Sequence, residues 1–161
     1  SWSDQGPKLA KEFLNRHGIH LIIEAHLPKT YLDGAVCVSA SGNPVVALTL
    51  RYDKLDNFWF SLMHELAHIA LHVDGTETWY LDNLDAEGAD EVEQEADALA
   101  QESLIPSGSS SLLEVKDVDC VQKLASKLHI SPSIVAGRIR YERNDHSTFG
   151  KAFRDKVRSH F

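Results

Sequence analysis

Leu9, Ala10, Phe13, Leu14 and His17 recur at helical spacing between Pro7 and Gly18. They predict a helix over 7–17, with the proline in its first turn and the glycine at its end. Ile19 to Glu24 reads as a short strand, broken at Leu27-Pro28. Gly34 to Ala40 alternates Val36, Val38 and Ala40 against Cys37 and Ser39, the period of a half-buried strand. Val45 to Leu50 is a second such run, and Ser41-Gly42-Asn43-Pro44 between them is turn chemistry. The pair predicts a hairpin, and with the earlier strand a three-stranded antiparallel sheet. The pattern then changes. Phe58, Trp59, Phe60, Leu62, Met63, Leu66, Ile69, Ala70 and Leu71 make the stretch 55–72 apolar nearly all round, which predicts a central, buried helix. Val73-Asp74-Gly75 stops it.

Beyond it, Glu77 to Leu81 predicts a short strand, and Asp82 to Asp90 an acidic surface loop. A second helix is expected over 90–104, ended by Pro106. Ser107 to Ser111 is a connector and the place for any internal boundary. Two helices follow, over 119–129 and 131–141, the second with Ser131 as N-cap and Pro132 at its first position. A last helix is expected over 148–160. The fold class is α+β: a small antiparallel sheet packed on a central helix, then a helical C-terminal half. Residues 1–161 read as a single domain. The chain does not begin with Met, which fits a piece of a longer protein.

The central helix carries the chemistry. His64-Glu65-Leu66-Ala67-His68 has the H-E-x-x-H pattern. Residues four apart share a helix face, so His64 and His68 can offer two imidazole nitrogens to one metal ion. Glu65 sits beside them, as a base for a hydrolytic water. Zinc suits two imidazoles and a carboxylate, and a hydrolytic site has three protein ligands and one open position. Buried His and Glu are costly unless paired or metal-bound. One class of such enzymes takes a third His six residues on. Here that position is Asp74, with Leu71 where a glycine is expected, so that class is disfavoured. The other class takes a Glu from a following helix. EVEQEADALAQE holds Glu91, Glu93, Glu95 and Glu102. Its apolar positions are Val92, Ala96, Leu99 and Ala100. On a wheel, Glu95 falls between Val92 and Leu99, while Glu93 and Asp97 fall towards water. Periodicity therefore chooses Glu95.

Composition adds bounds. The chain is 43% hydrophobic and 25% charged, as in a globular protein. It has no run of 18 apolar residues, so no membrane span, and no signal-peptide core in its first residues. Cys37 and Cys120 fit no metal or disulfide spacing and point to free thiols in a cytoplasmic protein. The net charge of −8 is uneven. Residues 53–119 carry 17 Asp and Glu against Lys54 and Lys116, whereas residues 120–161 have a net charge of +6. A basic end of this kind contacts nucleic acid or an acidic partner, or else is a solvated face or docks on the acidic middle of its own chain, and the second pair of readings is favoured.

The stretches HELAHIALH (His64 to His72) and EQEADALAQESLIP (Glu93 to Pro106) together resemble the ImmA/IrrE-type zinc metallopeptidases. That family has H-E-L-x-H-x-x-x-H followed by E-x-E-A-[ND]-x-F-A-x-x-L-L-x-P. ISPSIVAGRIRYE (Ile130 to Glu142) is also similar to the family's later region, so the likeness spans roughly Pro7 to Arg143. Leu99 replaces the usual Phe and Ser103 the first Leu. The resemblance implies a zincin-like fold, Zn2+ held by His64, His68 and Glu95, and Glu65 as base. It also implies a protein or peptide substrate, such as a repressor. The family's peptidase unit is often joined to an N-terminal helix-turn-helix, in transcription regulators and HigA-like antitoxins, so DNA would be met outside this chain. For the oxyanion, Tyr80, Tyr52 and His72 are the candidates, with His72 better suited to supporting a ligand. Asp97 is a weak candidate for holding an imidazole.

The competing class is binding without catalysis. Ala125 to Val135 has a helix-turn-helix look, followed by Arg138, Arg140 and Arg143. Against DNA reading, Ile134, Val135 and Ile139 look like core, and no Gly marks the turn. A regulatory domain that keeps its metal for sensing or structure is the third reading.

Overall fold

The computed structural model describes residues 2–26, 29, 32–73, 79–81, 91–108 and 114–161, with the backbone alone at 2–4 and 79–81. Its elements are α1 (Trp2–Arg16), β1 (His20–Glu24), β2 (Gly34–Val38), β3 (Pro44–Thr49), α2 (Leu55–Leu71), β4 (Trp79–Leu81), α3 (Glu91–Leu104), α4 (Val118–Leu128) and α5 (Pro132–Arg143). The expected break at Leu27-Pro28, the acidic loop at 82–90 and most of the serine connector lie outside the described residues. So do the first two residues of the strand expected from Glu77.

The helix at the start is longer than its periodicity suggests. It begins at Trp2, one turn before Pro7, and runs on to Arg16. Pro7 therefore stands inside the helix, past its first turn, where the ladder goes without one N–H, and it is fully buried. Gly18, at φ 84°, then closes the helix in the left-handed region.

The sheet has four strands in the order β1-β3-β2-β4 and is mixed, not the three-stranded antiparallel sheet expected. β2 and β3 form the hairpin, with Val36 opposite Val46. β1 pairs with β3 in parallel, Leu21 opposite Val46. The reason is topological. The hairpin inserts β3 between β1 and β2, so the strand that β1 meets is the returning one. β4 adds antiparallel to β2, with Ala35 opposite Leu81.

One face of the sheet packs on α2. Leu21, Val36, Val46 and Leu48 meet Leu55, Phe58 and Leu62 in one buried cluster, with Leu14 of α1 and Val157 of the C-terminal segment. A second cluster joins Ile105, Val121, Leu124, Ile134, Val135 and Ile139 across α4 and α5. Trp59 packs against both. α4 and α5 are capped as their sequences dictate. Asp117 accepts from the Cys120 amide at 2.8 Å, and Ser131 Oγ accepts from the Ser133 amide at 3.2 Å. Where sheet meets helix, Gly34 lies on Glu65. A Cβ there would stand 2.7 Å from Glu65 Cδ and 2.9 Å from its Cγ.

No helix spans 148–160. The chain turns at 146–152 and forms only a short 3-10 helix at Arg158–His160. Side-chain acceptors take the amides that a helix would use. Asp145 accepts from the Ser147 amide and from the Ser147 and Thr148 hydroxyls, which pulls its pKa down to about 2. Asp53 accepts from the amides of Arg158 at 2.9 Å and Val157 at 3.0 Å. These bonds, that to Arg158 first, lower the Asp53 pKa.

Gly34→Ala is expected to destabilise the fold by about 1–3 kcal/mol in denaturant titration, because a Cβ must displace Glu65. A variant as stable as the parent would show that strand and helix separate freely at this point. Asp53 is a group with a depressed folded-state pKa. Its contribution is therefore full above the usual carboxylate range and is lost as pH falls through the depressed value. Asp53→Asn is accordingly expected to unfold at lower denaturant than the parent at pH 7, with the gap narrowing below about pH 4. A pH-independent gap would disprove the assignment.

Candidate metal centre

α2 is buried along most of its length, and the burial includes its polar residues. His64 and His68 are each 1% exposed and Glu65 is 0%. His64 and Glu65 are adjacent and His68 lies one turn on, in a helix that otherwise buries Leu55, Phe58, Leu62 and Ala67. The carboxylates that meet them come from α3. Ala96 and Ala100, both fully buried, form the contact face of α3. Their small side chains let α3 lie close on α2. The residues beside them, Glu93 and Asp97, are thereby brought to the histidines.

His64 Nε2 and His68 Nε2 face each other at 2.9 Å. Glu93 Oε2 lies 3.1 Å from His64 Nε2, and its Oε1 lies 3.5 Å from His68 Nε2. All three groups offer ligand atoms within 4.8 Å of one another, as a metal-holding set does. Tetrahedral zinc with bonds of about 2.0–2.1 Å places its ligand atoms roughly 3.3 Å apart, so these spacings fit that ion.

The outer nitrogens are fixed as well. His64 Nδ1 faces Asp97 Oδ1 at 2.9 Å. With a metal ion held between Nε2 and Glu93, Nε2 would carry the lone pair, and the proton would then sit on Nδ1 and be donated to Asp97, since a carboxylate only accepts. His68 is set by a longer chain. His72 Nε2 donates to Glu95 Oε2 at 3.2 Å, which leaves His72 Nδ1 as an acceptor. It accepts from His68 Nδ1 at 3.1 Å, and the lone pair of His68 again faces inward on Nε2. Burial, reinforced by the neighbouring His64 and His72, pushes the His68 pKa down to about 4 against the pull of Asp97. The ring is neutral at pH 7, the form that binds metal.

This geometry corrects the reading of α3. Glu95 is not in the group: its side chain is 57% exposed, and it holds His72. Glu93 is in the group, and Asp97 holds an imidazole, although the wheel turned both towards water. The wheel took its phase from Val92 and Leu99. Those two are only half-buried, whereas the alanines are fully buried. Spacing alone does not find them, since Glu91 and Glu95 stand four apart just as Glu93 and Asp97 do.

Of the oxyanion candidates, His72 is engaged on both ring nitrogens. Tyr52 is 42% exposed and lies beside the Arg51 guanidinium, and the side chain of Tyr80 lies outside the described residues. The helix-turn-helix look also resolves into packing. Ile134, Val135 and Ile139 of α5 are buried. Arg138 pairs with Glu142, Arg140 with Asp56, and Arg143 donates to the carbonyl of Val115.

No helix among the described residues is long and apolar enough to cross a membrane. No curated protein matches the chain. A family model described as the IrrE N-terminal-like domain, Peptidase_M78, matches residues 14–140 and so takes in both helices of the metal group. With that match over most of its length, the chain belongs to the IrrE N-terminal-like family of peptidase domains.

Proposed function

We propose that this domain is a zinc-dependent endopeptidase that hydrolyses a peptide bond in a regulatory protein. The observation that carries the reading is the convergence of two inward-facing imidazole nitrogens and the Glu93 carboxylate on a helix that also buries Glu65. His64, His68 and Glu93 would hold the ion, leaving one position open as hydrolytic sites do. When bound, zinc supplies a Lewis acid that polarises the scissile carbonyl and acidifies water.

The chain's own residues do the rest. Asp97 keeps the His64 ring in one tautomer and one orientation. Glu95, acting through His72, does the same for His68. Glu65 serves as general base, taking the proton of the attacking water and returning it to the departing amine. Gly34 gives its carboxylate room at the start of β2. The regulatory partner is supported by the family's frequent union with a helix-turn-helix. A repressor is the substrate class that fits.

Metal analysis and chelator competition test the ligand assignment. Glu93→Ala is expected to lose zinc. Asp97→Ala and Glu95→Ala should weaken binding about 10–100-fold while keeping one ion at saturation. If Glu95→Ala strips the metal and Glu93→Ala retains it, the assignment is reversed. The peptidase reading is tested by incubating the zinc-loaded protein with candidate repressors and mapping fragments by mass spectrometry. Glu65→Gln should keep zinc and lose cleavage, and undiminished cleavage by that variant removes Glu65 as the base.

A further inference from the structure

A cavity of about 430 Å³ opens between α2, α3 and α5. That is the size of a small-molecule site. It adjoins the metal centre without containing its ligands. Phe60 and Asp97 line it, and both touch His64: Asp97 Oδ1 at 2.9 Å from Nδ1, and the Phe60 ring with its centroid 6.1 Å from that of the imidazole. Leu104, Ile105 and Ile134 add apolar surface to the lining.

Arg138 of α5 also lines this space. Two of its nitrogens, Nε and Nη2, meet the same Glu142 oxygen at 2.7 and 2.6 Å. The third, Nη1, is shielded from solvent and has no hydrogen-bond partner among the described residues. A buried guanidinium nitrogen without an acceptor is rare in folded proteins and calls for one. Two contacts account for three of the other four charged side chains in the lining. Arg140 is paired with Asp56 at 2.6 Å, and Asp97 is held by His64. Lys54 adds a further cation to the lining.

We propose that this cavity binds a carboxylate, received on Arg138 Nη1, with the apolar body of the ligand against Phe60, Leu104 and Ile134. Counted with Glu142, which already pairs with Arg138, the charges of Lys54, Arg138 and Arg140 balance those of Asp56, Asp97 and Glu142. A carboxylate brings one negative charge to the free donor, whereas a phosphate dianion would bring two and press harder on the two aspartates. The carboxylate has two sources, an acidic side chain of the peptide being cleaved or a free acid with an apolar stem. The site's existence does not depend on turnover, whereas the first source rests on the peptidase reading.

The test has two arms, both on the full zinc-loaded chain. Calorimetry with 3-phenylpropionate compares the parent with Arg138→Gln, which removes the receiving group, and Gln101→Trp, which fills the cavity from α3. Circular dichroism verifies that each variant is folded. Binding is expected in the parent, at least tenfold weaker in both variants. In the second arm, cleavage of a mixed peptide library is profiled for a preference for Asp or Glu at one position near the scissile bond, lost in Arg138→Gln. Calorimetric binding without that preference assigns the site to a free acid. The preference, lost with Arg138, assigns it to substrate. Binding that neither variant weakens belongs to the metal group and overturns the proposal. So does the absence of both binding and acidic preference. If the parent cleaves nothing, the peptidase reading fails on its own and calorimetry alone decides the cavity.

Discussion

The close approach of α3 to α2 is the contact on which the metal centre depends. Side-chain size at a helix crossing sets the interaxial distance. With Ala96 and Ala100 at the crossing, the short reach of an aspartate is enough to meet His64 Nδ1, and Glu93 can lie across both Nε2 atoms. A larger residue at either alanine would move α3 outward and open every one of these contacts together. Burying two imidazoles and a carboxylate inside an apolar helix is costly by itself. The groups presented by α3 offset that cost, so the second helix belongs as much to the stability of α2 as to the site.

Around the centre, the histidines are held from α3 and the glutamate meets the sheet. Asp97 comes from α3 and fixes His64. Glu95, also from α3, fixes His72, which in turn fixes His68. Glu65 faces the sheet instead, against Gly34 at the start of β2. The helix thus presents its histidines to one neighbour and its glutamate to another, because consecutive positions differ by about 100° around the axis. A mixed sheet suits this arrangement, since β2 lies inside it with β3 and β4 on its two sides.

The extents of the helices were largely legible in the sequence. α2, α3, α4 and α5 begin and end within a residue or two of the positions given by their periodicity and caps. Orientation and phase were harder to read. The parallel pairing of β1 with β3 depends on which strand the hairpin leaves nearest, which no local pattern records. The phase of α3 was misjudged because Val92 and Leu99 are larger than the alanines and dominated the wheel. The tight helix contact selects small side chains instead. The same preference for small side chains separates the wheel, which points to Glu95, from the geometry, which brings Glu93 to the histidines. The last segment failed differently. Its composition allows a helix, but Asp145 and Asp53 hold its amides, and tertiary acceptors outweigh weak local propensity.

The uneven charge of the chain finds its explanation in the same contacts. The basic end folds back on the body that precedes it. Arg140 pairs with Asp56, Arg158 donates to the carbonyls of Leu50 and Arg51, and the amides of 157 and 158 rest on Asp53. Val157 completes the core between α1, the sheet and α2. Much of the positive charge is therefore structural, spent inside the domain. This weighs against a free basic surface that tracks a phosphate backbone, for which cations must remain available to the ligand. Arg138 differs from its neighbours on α5. Its partner, Glu142, lies one turn further along the same helix, so the pair ties α5 to nothing else. An arginine that holds no other element in place, beside a cavity next to the metal centre, has its remaining donor available for recognition.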